Sequence, residues 1–212
     1  MKFKIFTFLV FIVWCLFPDL TLAQNKVVVI PLTDEPAGPP APVAKTGQTY
    51  TYTPGDDGDY QIGVPWPEPR FIDHGNGTVT DVLTGLIWLK EGNCDKFFSS
   101  DNSGKNERWW TDAISACNQL SSPYCGLTDD SETGYWRLPN INELLSLVVR
   151  KTWSPALSGP MRSSTQNAEY WTSTALVDPT DYKWYVNFLV GDVYRSNKDN
   201  NDYHVRCVHG GK

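Results

Sequence analysis

Hydrophobic and polar positions change character along this 212-residue chain, and each change marks a different kind of segment. An apolar run, residues 5–17, is followed by a stretch, 24–65, in which Pro, Gly, Thr and Asp dominate and no apolar period is sustained. From Trp66 onward β-prone runs begin: RFID at 70–73 and TVTD at 78–81 flank the Gly-rich HGNG and predict a hairpin, with a further strand at LIWL, 86–89. The period then becomes helical. Ala113, Ala116, Cys117 and Leu120 fall on one face of a helix over about 110–121, with Thr111 as N-cap and Asp112 in the first turn. Asn140 with Glu143 three residues on opens a second helix, whose apolar face is Ile141, Leu144, Leu145 and Val148. YWTST (170–174), WYVNF (184–188), DVY (192–194) and HVRCV (204–208) read as strands between polar loops. The pattern predicts an α+β domain: an antiparallel sheet, two helices and many loops.

The N-terminal run changes the picture of where this domain works. Lys2 and Lys4 precede it and the small-residue pattern before Gln24 follows it, so residues 1–23 read as a secretory signal peptide. At 13 residues, broken by Pro18 and Asp19, the run is short of the roughly 20 that span a bilayer. The chain is expected to be secreted, periplasmic or on the cell surface, and not membrane-spanning. Residues 24–65 read as a flexible leader and 66–210 as the domain. Without Lys2, Lys4 and Asp19 the chain carries 16 basic and 23 acidic side chains, a poor balance for nucleic acid, whose phosphates are held largely by Lys and Arg. Beyond residue 23 four cysteines remain, Cys94, Cys117, Cys125 and Cys207; in an oxidising compartment they imply two disulfides, with three connectivities open.

GTVTDVLTGLIWLK, WWTDAISACNQL, YWRLPNINELLSLV, YWTST, WYVNF and YHVRCVHGG follow one another over roughly 140 residues in an order and spacing that resemble the Lcl C-terminal domain family. That family, named for the tip of a bacterial collagen-like adhesin, implies a C-type-lectin-like fold with two helices and a looped sheet whose terminal strands meet. It also implies the pairing Cys117–Cys207 and Cys94–Cys125. Adhesin-like recognition of surface glycans, glycosaminoglycans among them, and a homo-oligomer such as a trimer follow from the same resemblance. Two departures bear on that transfer: no G-x-y repeats build a collagen stalk, and the domain from Trp66 has 14 basic against 18 acidic residues, with only 183–212 turning positive. Two further roles for such a domain are a structural or assembly protein of the envelope that binds a protein partner, and a display protein diversified by a retroelement, which would leave Asn, Tyr, Asp and Ser in the final loops.

The candidate sites follow from residue chemistry. Asp73, Asn76 and Asp81 in DHGNGTVTD offer oxygen ligands of the kind calcium takes, but the alternating ligands and closing Glu of a calcium loop are missing, so a hairpin turn is the expected role and no cofactor is assigned. Leu138-Pro139-Asn140 likewise reads as strand end and N-cap rather than a sugar-site triplet. His204 and His209 would lie on opposite faces of one strand and make no zinc pair. Ser163, Ser164 and Ser173 stand in no nucleophile elbow, and the formylglycine-generating enzymes, which share the implied fold, need a terminal cysteine pair where this chain has Cys207 alone. No enzymatic activity is expected. Trp88, Trp136, Trp171 and Trp184 sit among apolar neighbours and are assigned to the core. The last loops remain: Tyr182, Lys183, Tyr194, Arg195, Asn197, Lys198, Asn200, Asn201 and Tyr203 combine rigid aromatic area with adaptable polar groups, the composition of a recognition surface.

Overall fold

The structure, a computed structural model, describes residues 43–94, 107–178, 181–199 and 202–210. The proposed signal peptide, the first part of the leader, Asn200 and Asn201 lie outside the described residues. Strands β1 (Phe71–Asp73), β2 (Thr78–Asp81) and β3 (Leu86–Leu89) form the expected meander. After β4 (Glu107–Arg108) come β5 (Glu169–Ala175), β6 (Tyr182–Asn187), β7 (Asp192–Asn197), β8 (Tyr203–His204) and β9 (Val208–His209). They build two sheets rather than one: β1-β2-β3-β9 and β4-β8-β5-β6-β7. All pairings are antiparallel except β5 with β8, where Tyr170 meets His204 in parallel.

The difference from expectation lies in 204–208, which is not one strand. Tyr203 and His204 pair with β4 and β5, Val208 and His209 pair with β3, and the residues between them cross from one sheet to the other. Arg206 occupies this crossing with no exposure. Its Nη1 donates to the carbonyls of Leu89 and Lys90 at 2.8 and 3.2 Å, and its Nη2 to Thr165 Oγ1 and Ser164 O at 2.7 and 3.4 Å. A buried guanidinium is tolerated only with such partners, and satisfying them turns the backbone out of strand alternation. Gly92 leaves the space: a Cβ there would stand 2.0 Å from the guanidinium and 2.6 Å from Ser164 O. Beside it, Cys207 bridges Cys117, and Cys94 bridges Cys125, with Cα separations of 5.5 and 5.4 Å.

Helix α1 (Asp57–Tyr60) precedes the sheets, and α2 (Trp110–Gln119) and α3 (Ile141–Ser146) are the two the periodicity predicts. In α2 the N-cap is Trp109, without a side-chain cap, and Thr111 lies inside the first turn. Tertiary contacts place that start: the Trp110 indole donates to Thr172 O at 2.7 Å and its ring lies 4.5 Å beneath Lys183 Nζ. In α3 the capping box is complete, with Glu143 N donating to Asn140 Oδ1 and Asn140 N donating to Glu143 Oε2 at 2.9 and 2.8 Å. The Arg137 fork grips the same carboxylate at 2.7 and 2.6 Å.

Two apolar clusters fill the domain. One joins Val79, Trp88 and Val208 to Tyr170, Val186, Phe188 and Leu144 of α3; the other joins Leu89 and Val205 to Trp136, Trp171 and the Ala113, Ala116 and Leu120 face of α2. Trp184 departs from its assignment, being only half-buried, because β6 carries it past the last core layer to lie opposite Arg195. A buried fork, Arg70 on Asp81 at 2.8 and 3.0 Å, also donates to Ser146 O, and its guanidinium lies against the rings of Trp66 and Phe71.

The described part of the leader has local structure that its composition did not announce. Val64 N donates to Val43 O and Lys45 N to Val64 O at 2.9 and 3.0 Å, closing a loop around α1 whose N-cap is Asp56. The Trp66 indole donates to Lys45 O, and Arg150 N to Thr46 O, so the loop is tied to the domain. Among the described residues no helix is long and apolar enough to cross a membrane. Two disulfides are the usage of an oxidising compartment.

Replacing Arg206 with Met should cost about 3 kcal/mol or more in urea unfolding, because the carbonyls it serves stay buried without donors. Gly92→Ala should cost about 1–3 kcal/mol by forcing the same guanidinium aside. Unchanged unfolding midpoints in both variants would show that the crossing does not depend on this contact.

Candidate functional site

The β6–β7 hairpin forms one edge of the five-stranded sheet and holds most of the predicted recognition residues. Its register pairs Tyr182 with Asn197, Lys183 with Ser196, Trp184 with Arg195 and Tyr185 with Tyr194. Because side chains alternate between faces along a strand, the set divides. Tyr182, Arg195 and Asn197 share one face, with the Arg195 guanidinium 5.8 Å above the Tyr182 ring. Lys183 and Tyr194 belong to the other, but Lys183 is buried against Trp110 and is no free cation. Lys198 closes the end of the hairpin: its N donates to Asp181 O at 2.9 Å and its Nζ to Asp199 at 2.6 Å.

On the Tyr194 face the structure assembles an aromatic row. Tyr194 lies 6.0 Å from Tyr185, Tyr185 lies 4.7 Å from Tyr203 of β8, and Tyr203 lies 4.5 Å from buried Trp171. The row runs from core to solvent, ending at Tyr194, which is 51 % exposed. Tyr185 sits at its centre and was missed by the sequence reading, since WYVNF looks like a core strand; its alternation with Trp184 and Val186 was the available signal. Carboxylates border the row: Asp192 accepts from Tyr194 Oη at 3.2 Å, and Glu169 accepts from Asn187 Nδ2 at 3.1 Å. The Tyr194 hydroxyl is held above its ordinary pKa by that bond to Asp192. Burial, with Tyr203 and Glu169 nearby, pushes Tyr185 up to about 12. Tyr194 and Tyr185 therefore present neutral phenols at any physiological pH.

The calcium candidates do not converge. Asp81 is fully buried on Arg70, Asp73 pairs with Lys90 at 2.6 Å, and Asn76 Oδ1 accepts from Thr78 N and Oγ1. The Lys90 contact holds Asp73 below the usual carboxylate range. His204 and His209, placed on opposite faces of one strand by the sequence, stand in different sheets.

The folded chain keeps the Tyr185 proton that an unfolded chain loses near pH 10, so this group draws stability down as pH rises from 10 toward 12. In a spectrophotometric alkaline titration of the native protein, Tyr185→Phe should remove a phenolate component that appears well above pH 10, and removal of an ordinary one instead would contradict the placement of that ring.

Comparison with curated proteins gives no match. The family model described as the Lcl C-terminal domain matches residues 77–209, from the turn before β2 to the end of β9, and so covers every strand except β1, both disulfides and the tyrosine row. The chain belongs to the Lcl C-terminal domain family.

Proposed function

We propose that this protein is a secreted or cell-surface recognition module with a C-type-lectin-like fold, binding surface glycans through the row of Tyr194, Tyr185 and Tyr203. The observation that carries this reading is the row itself: three rings in sequence, running from half-buried Tyr203 and Tyr185 to exposed Tyr194, beside carboxylate and amide oxygens. Aromatic rings supply apolar area for the C–H faces of sugars at low conformational cost, and carboxylates accept from sugar hydroxyls. Binding without catalysis, and without a bound ion, is the corresponding activity. Glu169, and Asp192 with Arg150 4.0 Å from it, place net negative charge beside the row and disfavour sulfated polymers, since like charges in proximity repel. The only cations the hairpin leaves at its surface are Arg195, on the opposite face, and Lys198, already paired.

A glycan array probed with the mature chain from Gln24 tests the reading. Tyr194→Ala, which removes an exposed ring, should weaken binding about tenfold, while Arg195→Ala should leave it unchanged and raised salt should alter it little. Binding confined to sulfated glycans and lost in Arg195→Ala would overturn it, and an array without hits would turn the search to an envelope protein as the partner.

A further inference from the structure

A second concavity lies on the other sheet, away from the tyrosine row. The turn after β1 and the loop at 127–135 enclose, with the outer face of β3 and β9, a cavity of about 280 Å³. The strand pairing puts Thr78, Ile87 and His209 on that face, opposite the core residues Val79, Trp88 and Val208. His74, Asn76, Asp129, Ser131 and Tyr135 complete the lining, and no Lys or Arg contributes to it.

Its walls are held from several sides. Thr128 N donates to Asn76 O at 2.9 Å. Gly77 has φ +87°, and a Cβ there would stand 2.4 Å from Gly126 O, so only glycine lets the loop come this close. The Cys94–Cys125 disulfide anchors the same loop at its start. Asp129 Oδ1 accepts from Ser131 N and Oγ at 3.2 and 2.7 Å, and Ser131 Oγ accepts from the Trp136 indole at 3.0 Å. The Trp136 ring meets His209 edge-on at 4.6 Å, fixing the imidazole.

Within this rigid frame two polar groups are left over. Asp129 Oδ2 has no hydrogen-bond partner among the described residues, nor has either ring nitrogen of His209. Burial lowers the His209 pKa, which keeps the ring neutral and able to offer one donor and one acceptor. Tyr135, 59 % exposed, stands at the lip with its ring free for stacking. We propose that this cavity is a binding site for one neutral sugar ring, with a vicinal diol bridging Asp129 and His209 and the ring face against Tyr135. The volume is below that of sites for larger ligands, and a carboxylate without a cation repels phosphate, sulfate and uronate groups. The site is separate from the tyrosine row and stands or falls without it.

The test uses the mature chain and a panel of neutral monosaccharides, followed by the imidazole proton signals of His74, His204 and His209, each assigned by its single variant. One sugar should shift the His74 and His209 signals saturably and leave His204 unmoved. Asp129→Asn should weaken that response at least tenfold, Tyr135→Ala several-fold, and Tyr194→Ala not at all. Tyr135 makes no side-chain hydrogen bond among the described residues, so its variant decides the matter if Asp129→Asn disturbs the loop. The proposal is overturned if no sugar in the panel moves the two signals, if Tyr135→Ala binds with unchanged affinity, or if sulfated or phosphorylated sugars bind there more tightly. Loss of the array signal in Tyr194→Ala with this response intact would separate the two sites.

Discussion

The fold turns on a charged group with nowhere to go but inward. Arg206 sits at the point where the chain leaves one sheet and enters the other, and burial lowers the proton affinity of its guanidinium. The cost of desolvating that ion is offset only while Leu89, Lys90, Ser164 and Thr165 present their oxygens to it. Those four residues come from the end of β3 and from the segment before β5, so one side chain ties both sheets to the crossing. Cys207, next to it, ties the crossing to α2.

Both candidate surfaces follow from this arrangement. Because β8 lies beside β5, with β6 next in the sheet, Tyr203 reaches both Trp171 and its cross-strand partner Tyr185, and the hairpin brings Tyr194 into line. Because β9 closes the other sheet beside β3, His209 faces the hairpin turn and the 127–135 loop. Seven residues of chain, 203–209, thus contribute to two separate surfaces. A continuous strand would have kept both ends in one sheet and made neither.

Much of this was legible in the sequence. The hairpin at 70–81, the strand at 86–89 and the α3 capping box rest on local chemistry, turn residues and reciprocal cap bonds, which nearby residues specify by themselves. The disulfide pairing was readable only through the family resemblance. The recognition residues were half-legible: composition singled out Tyr194 and Tyr203, but it grouped with them Lys183, which lies buried on Trp110, and Arg195, which faces the other way. Tyr185 was passed over because its neighbours are apolar, although alternation puts it on the opposite face from them.

By itself, then, the sequence determined the class of fold, the main strands and helices, and the supply of tyrosines, cysteines and polar loop residues, since propensity, capping and period-2 alternation act over a few residues. Only the tertiary structure decided that 203–209 divides between two sheets, which tyrosines stand in one row, and that Asp81 is sealed by Arg70 rather than free for an ion. Those outcomes depend on partners tens of residues away, such as the 117 residues separating Arg206 from Leu89, and no local pattern records which distant group will offer a buried charge its hydrogen bonds.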